Sequence, residues 1–288
     1  MPPSIPKALK NHLLVVSFRH FAGARDETGA GRVDTMAARH EATGCGWTAV
    51  PGGRIFVRAE KGMPIGGKIV ILVHGLVVSS RYMVPLLHAL APRCRAYAPD
   101  LPGFGRSWKP DRALAIPELA DALASWMDAE LIETASLIGN SLGCQIIADF
   151  CIRHPGRADR VVLQGPTVNP AERNFRMQFL RQLQNSTREK GGLGIDMLKD
   201  YAAAGVGRAL RTMKITLGDA IEEKLPLLDL PVLVVAGDRD PVVPLAWARE
   251  AVRLLPRGEL VVIPGGAHIV NWSIPERLVA ATKDFLGI

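Results

Sequence analysis

The chain has 288 residues, which suits one large α/β domain, with or without an insertion, better than two full domains. Its 48% hydrophobic and 22% charged residues are typical of a globular protein and argue against a disordered or fibrous chain. The net charge is +7, but the Lys and Arg residues are scattered among acids, so nucleic-acid binding is not expected.

Cysteine usage and hydropathy bear on compartment and cofactors. The four cysteines, Cys45, Cys94, Cys144 and Cys151, form no C-x-x-C pair, and no His lies at zinc-ligand spacing from them. No apolar run reaches the ~18 residues of a membrane span, and no signal-peptide cleavage site follows the N-terminus. We therefore predict a cytoplasmic protein without a transmembrane segment, a bound metal or another cofactor. The oligomeric state is not predicted.

The N-terminal part of the chain differs from the rest in its pattern of apolar residues. Residues 1–45 show no clear periodicity and are interpreted as an N-terminal extension. From Trp47 onward apolar runs appear, and the first two are separated by Pro51-Gly52-Gly53. This arrangement predicts a β-hairpin.

Short apolar runs then alternate with helical patterns along the chain. The runs are KIVILVHG, CRAYAPD, TASLIG, RVVLQG, PVLVVAG and ELVVIPG. Runs of this kind are typical of strands that are buried on both faces. Helical patterns follow most of them, at about 80–90, after Pro117, after Ser141, and at 245–255 and 275–286. The alternation predicts an α/β fold with a mostly parallel central sheet and helices on both faces.

The alternation is interrupted between about residues 167 and 224. This stretch contains helical patterns such as NFRMQFLRQL and IDMLKDYAAA, and more Lys and Arg than Asp and Glu. It predicts a helical insertion between residues 46–166 and 225–288, which form the core. The apolar residues of the insertion are expected mostly to pack it onto the core, with lining of a pocket as the alternative. They include Phe175, Met177, Phe179, Leu180 and Met197.

A serine lies in a tight turn between a predicted strand and a predicted helix. Gly139, Asn140, Ser141 and Gly143 form the pattern G-x-S-x-G at the carboxyl end of the run TASLIG. Ligands bind at the carboxyl ends of parallel strands, and such a turn can present a serine as a nucleophile. By itself the pattern is equally compatible with an ordinary strand–helix turn.

A serine nucleophile needs a base, and the base needs a carboxylate to orient it. Asp238 and Asp240 follow the run PVLVVAG, and His268 follows one helix and one strand later. The serine, the acid and the histidine thus each lie at a strand end, in the order Ser, acid, His. Residues two apart on an extended loop can point the same way, so this spacing leaves Asp238 and Asp240 as alternatives.

Attack on a carbonyl also requires donors for the oxyanion. The backbone N–H of Leu142 is one candidate, because it begins the helix after Ser141. The N–H of Leu76 is the other, because it follows His74-Gly75 at the end of an earlier strand. His74 itself is interpreted as a residue that braces this loop rather than as a second base.

Together these motifs resemble the α/β-hydrolase fold over residues 46–288. The matching segments occur in family order and are HG at 74–75, DLPGFGRS, GNSLG, GDRDPVVP and GAHIVNWSIPE. In that family the acid usually follows G-x-x-D, which selects Asp240, and residues 167–224 resemble its helical cap. Two positions depart from the common pattern, because Ala267 precedes His268 and Cys144 follows Gly143, where relatives often carry glycine.

The resemblance implies a serine hydrolase, carboxylesterase-like, that cleaves small carboxylic esters through an acyl-enzyme. The implied residues are Ser141, Asp240 and His268, with an oxyanion hole from Leu76 and Leu142, and the partner is a small-molecule ester or related acyl compound. The alternative is a carbon–carbon bond hydrolase of ring-fission (meta-cleavage) products. That branch tends to have a glycine-rich oxyanion loop, where this chain has GLVVSS. It also tends to have an aromatic residue just after the histidine, where this chain has Ile269. Haloperoxidase-like or acyl-transfer activity, and a ligand-binding receptor or pseudoenzyme, remain further alternatives.

Overall fold

The computed structural model describes residues 44–60, 63–64, 66–76, 78–189 and 205–288. The predicted N-terminal extension lies outside these residues except for Gly44 and Cys45. The helical pattern IDMLKDYAAA of the insertion, with Met197, also lies outside them.

One sheet of eight strands forms the centre of the described structure. Its strands are β1 (Cys45–Val50), β2 (Gly53–Ala59), β3 (Ile69–Val73), β4 (Arg95–Pro99), β5 (Ala135–Asn140), β6 (Ala158–Gln164), β7 (Val232–Gly237) and β8 (Gly258–Ile263). Their spatial order is β1-β2-β4-β3-β5-β6-β7-β8. β2 pairs antiparallel with β1 and with β4, and every other neighbouring pair is parallel. The predicted hairpin and the mostly parallel sheet are both confirmed.

Helices cover both faces of this sheet, as predicted. They are α1 (Val84–Leu90), α2 (Ile116–Ala129), α3 (Leu142–Arg153), α4 (Phe175–Ser186), α5 (Val206–Gly218), α6 (Ile221–Lys224), α7 (Leu245–Leu254), α8 (Val270–Ser273) and α9 (Pro275–Leu286). Because successive strand residues face opposite ways, β3 contributes to two cores. Ile71 and Val73 join side chains of α2, α3 and α7, whereas Val70 and Leu72 join those of α1 and α9. None of the described helices reaches the length and hydropathy that a membrane span requires.

The inserted segment, residues 167–224, lies between β6 and β7 and includes α4, α5 and α6. The expectation that its apolar residues mostly pack onto the core was wrong for three side chains of α4. Phe175, Phe179 and Leu180 are 49%, 58% and 56% exposed, and the two Phe rings stack with centroids 6.5 Å apart. The buried residues of α4 are polar, namely Gln178 and Asn185.

Candidate active site

Ser141 occupies a sharp turn between β5 and α3. Its φ and ψ are 56° and −119°, a backbone conformation that costs a non-glycine residue roughly 1–3 kcal/mol. The flanking glycines permit close approach. A Cβ on Gly139 would lie 2.7 Å from the carbonyl carbon of Gly143, and a Cβ on Gly143 would lie 2.3 Å from the carbonyl oxygen of Val73. The G-x-S-x-G pattern therefore forms the tight strand–helix turn that its residues predict.

An aspartate and a histidine from two other strand ends meet beside this turn. Asp240 follows β7 and His268 follows β8, and Asp240 Oδ2 lies 2.8 Å from His268 Nδ1. Asp240 Oδ1 accepts hydrogen bonds from the N–H groups of Val242 and Val243, at 2.8 and 3.0 Å. These two donors fix the carboxylate so that Oδ2 faces the imidazole.

Asp238 has a different partner. Its Oδ1 accepts a hydrogen bond of 2.7 Å from the Gly265 N–H, and the residue is exposed. It links the loop after β7 to the loop after β8. Of the two aspartates that the sequence offers, the structure brings Asp240 to His268.

The protonation of His268 reflects opposing effects. Burial is the largest and lowers its pKa, while the Asp240 charge, the hydrogen bond to Asp240 and the Glu189 charge raise it. The raising effects prevail, and the pKa of His268 lies above its ordinary value. His268 Nε2 is buried and has no hydrogen-bond partner among the described residues. A neutral His268 with its proton on Nδ1 can accept a proton at Nε2.

Two buried amide side chains hold the His268 loop against the serine turn. The carbonyl oxygen of His268 accepts hydrogen bonds from Asn140 Nδ2 at 3.1 Å and from Gln164 Nε2 at 2.8 Å. The Ser141 N–H donates to the carbonyl of Gln164 at 3.1 Å. Sequence reasoning assigned no role to Asn140 and Gln164. The sequence could have pointed to them only through their position, since each is the polar residue that ends an apolar strand.

The loop after β3 is joined to the same turn. The Gly75 N–H donates to Tyr82 Oη at 2.7 Å, and Tyr82 Oη donates to Asn140 Oδ1 at 2.8 Å. Burial raises the pKa of Tyr82 well above its ordinary value, so the phenol keeps the proton that it donates. Leu76 follows in this loop, and Leu142 is the first residue of α3, where N–H groups have no intrahelical partner. The oxyanion role of these two N–H groups stays a prediction.

His74 braces this loop. The Leu101 N–H donates to His74 Nε2 at 3.0 Å, and His74 Nδ1 lies 3.0 Å from the Gly75 carbonyl oxygen. An acceptor at Nε2 and a donor at Nδ1 correspond to a neutral imidazole. The ring is fully buried and meets Phe104 edge to face. This environment agrees with a bracing role.

No group of three or more His, Cys, Asp or Glu side chains in the described ranges is arranged to hold a metal ion. The four cysteines form no disulfide with one another; Cys94 and Cys144 are buried, and Cys45 and Cys151 are partly buried. Burial raises the pKa of Cys144 well above its ordinary value. The residue next to the serine turn is therefore an unreactive thiol rather than a second nucleophile.

Comparison with known proteins identifies the family. Residues 70–281, well over half of the chain, match the model of the Alpha/beta hydrolase family. The chain belongs to the α/β hydrolase family. The resemblance that the motifs predicted is confirmed by this match.

Two curated proteins and one solved structure illustrate the similarity. The chain is 28% identical over 246 residues to the biotin biosynthesis bifunctional protein BioHC of Cellvibrio japonicus, covering 75% of this chain and 47% of that protein. It thus spans less than half of that relative. It is 26% identical over 258 residues to a pimeloyl-(acyl-carrier protein) methyl ester esterase of Neisseria meningitidis, covering 80% and 97%. An esterase from Rhodococcus sp. ECU1013 has the same fold, with a TM-score of 0.69 and 23% identity, covering 85% of this chain and 98% of that one.

Proposed function

We propose that the protein is a serine hydrolase that cleaves small carboxylic esters, with Ser141 as nucleophile, His268 as general base and Asp240 as the carboxylate that orients it. The observation that carries this proposal is the 2.8 Å contact between Asp240 Oδ2 and His268 Nδ1. It leaves Nε2 as the basic atom of a buried imidazole that has no other partner within the described residues. A strand–helix turn with Ser141 at its tip lies in the same cluster of loops.

In the first half of the reaction His268 Nε2 takes the proton of Ser141 Oγ, and Oγ attacks the carbonyl carbon of the ester. The negative charge passes to the carbonyl oxygen, and we assign its stabilisation to the N–H groups of Leu76 and Leu142. Removal of one such donor typically lowers kcat by about 10²- to 10³-fold. When the tetrahedral intermediate collapses, His268 returns the proton to the leaving alkoxide, and an alcohol departs.

In the second half a water molecule repeats these steps on the acyl-enzyme. His268 Nε2 takes a proton from the water, and the water oxygen attacks the acyl carbon. The intermediate then breaks the bond to Ser141 Oγ, which recovers the proton from His268. The products are a carboxylic acid and the original enzyme, so no cofactor is consumed.

The ester class is supported by the names of the relatives, and the size of the substrate by the burial of the site. One relative is named as a methyl ester esterase, and a protein of the same fold is named as an esterase. We assign the inserted segment, residues 167–224, the role of a cap that helps to enclose the acyl group. Ser141 is only 8% exposed and His268 only 3% exposed, which favours a small substrate that enters an enclosed site.

A fluorophosphonate probe and a panel of p-nitrophenyl esters test the proposal directly. We expect the probe to label Ser141, and we expect Ser141→Ala to abolish labelling and lower kcat by roughly 10⁴- to 10⁶-fold. The control is Ser125→Ala, because Ser125 lies on α2 and its hydroxyl donates to the Asp121 carbonyl. That variant should label and turn over like the wild type.

Two outcomes would replace the proposal. Turnover of ring-fission dienoates without turnover of any ester would identify a carbon–carbon bond hydrolase that uses the same residues. Ligand binding that survives Ser141→Ala, with no multiple turnover on any ester or dienoate, would identify a receptor of this fold.

A further inference from the structure

The end of α4 reaches the loop that carries His268. The His268 N–H donates to Asn185 Oδ1 at 3.2 Å, and the Ile269 N–H donates to Glu189 Oε1 at 2.8 Å. Both acceptors belong to the inserted segment, whereas both donors belong to the loop after β8. The Glu189 N–H also donates to the backbone carbonyl oxygen of Asn185 at 3.1 Å. Two successive backbone N–H groups at the candidate base are therefore held from outside the core.

A third contact joins the same helix end to the aspartate loop. Arg188 Nη1 donates to the carbonyl oxygen of Arg239 at 2.8 Å, and Arg239 immediately precedes Asp240. The inserted segment thus contacts both loops that bring the acid and the base together.

The orientation of α4 agrees with a role for its polar side. A surface helix normally buries its apolar stripe and exposes its polar side. In α4 the reverse holds, since Asn185 is 6% exposed while Phe179 and Leu183 are 58% and 57% exposed. Burial of an amide is unfavourable unless its atoms find hydrogen-bond partners. Asn185 finds one in the N–H of His268, which gives a physical reason for the side of the helix that faces inward.

We propose that Asn185 and Glu189 are positioning residues for His268, and that Glu189 supplies a second negative charge beside the base in addition to Asp240. This inference rests on the proposed function, because it gives these residues their role through the base of the serine. It adds that the inserted segment holds the His268 loop and sets the pH range in which the base is neutral.

Within the described residues, the charged groups that act on His268 come from two segments of the chain. Asp240 lies on the loop after β7 and contacts Nδ1, and Glu189 lies three residues after the end of α4. Both favour the protonated imidazole. Burial raises the pKa of Glu189 above its ordinary value, and Asp240 adds to this, while the Ile269 N–H, the His268 charge and Asn185 favour the carboxylate. Glu189 Oε2 is buried and has no hydrogen-bond partner within the described residues.

Glu189→Gln separates charge from hydrogen bonding. The amide oxygen can still accept from the Ile269 N–H, but the negative charge is gone. Removal of a charge that favours imidazolium lowers the pKa of His268, so the base becomes neutral at lower pH. For two charges several ångströms apart in a partly buried site we expect a shift of about half a pH unit.

The shift is measured on the 288-residue chain by NMR titration of ¹³C-labelled histidine, with the His268 signal assigned by its loss in His268→Gln. The acid limb of the pH profile of kcat/KM should move by the same amount in the same direction. The control is Gln178→Ala, because Gln178 is also a buried amide of α4 but donates to the Glu172 carbonyl within the inserted segment. The control should leave the pKa of His268 within about 0.1 unit of wild type.

Asn185→Leu tests the second contact. It leaves the His268 N–H without its acceptor, and we expect kcat to fall roughly ten-fold with KM within about two-fold of wild type. Unchanged kcat in this variant, or an unchanged His268 titration in Glu189→Gln, would overturn the inference. Failure of the proposed function is a separate result, since it requires no ester turnover and no probe labelling in the wild type. The NMR titration reports on Glu189 even then.

Discussion

Replacement of Asp240 by Asn tests the candidate acid with little change of shape. Asp240 Oδ1 accepts two backbone N–H groups, from Val242 and Val243. In Asp240→Asn the amide oxygen must take this position, because the flipped amide would point its NH₂ at both donors. Leaving each donor unsatisfied costs roughly 1–3 kcal/mol, so the flipped form is rare. The NH₂ group therefore faces His268 Nδ1.

An NH₂ group at this position reverses the tautomer of His268. Nδ1 must then accept a hydrogen bond, the ring proton moves to Nε2, and Nε2 can no longer take the proton of Ser141. We expect kcat to fall by about 10⁴-fold, which corresponds to about 5.4 kcal/mol of transition-state stabilisation. KM should change little, because Asp240 is buried behind the imidazole with its side chain 1% exposed.

The assay measures initial rates on p-nitrophenyl acetate and butyrate from pH 5 to 9, with circular dichroism as a check that the variant is folded. Asp238→Asn is the matched control. Its amide oxygen can still accept from the Gly265 N–H, so we expect rates within about two-fold of wild type. The reasoning is refuted if Asp240→Asn keeps more than about a tenth of wild-type kcat, or if Asp238→Asn loses as much as Asp240→Asn.

Three further predictions follow from the same geometry. Because the pKa of His268 is raised, the acid limb of kcat/KM should lie above the ordinary histidine pKa of about 6.5, with a plateau at higher pH and no effect of EDTA. A limb well below that pKa, or loss of activity on chelation, would contradict this prediction. Gly165→Ala introduces a Cβ 3.1 Å from His268 Nδ1 at a φ of +59°, so the free energy of unfolding in urea should fall by about 1–2 kcal/mol and esterase rates about ten-fold. Wild-type values for both would exclude this contact. Phe179→Ala should lower the free energy of unfolding by less than about 1 kcal/mol because the ring is 58% exposed, and a larger loss in urea titration would mean that the ring is covered in solution.

The strand–helix alternation and the serine turn could be predicted because their causes are local. An apolar run such as that of β5 has to be buried on both faces, and Gly139 and Gly143 allow the crowded turn around Ser141. The family pattern G-x-x-D also selected Asp240 as the acid. The choice between Asp240 and Asp238 nevertheless depends on partners far along the chain, since one carboxylate meets His268 and the other meets the N–H of Gly265.

The orientation of the inserted helix α4 was decided only by the tertiary structure. Its apolar pattern predicts that Phe175, Phe179 and Leu180 face the core, yet all three are exposed. The buried side carries Asn185, whose acceptor oxygen meets the N–H of residue 268, 83 positions further along the chain. Hydrophobic periodicity registers which side of a helix is apolar. It holds no information about a distant backbone N–H that needs an acceptor, and here that N–H accounts for the polar side chain buried at the end of the helix.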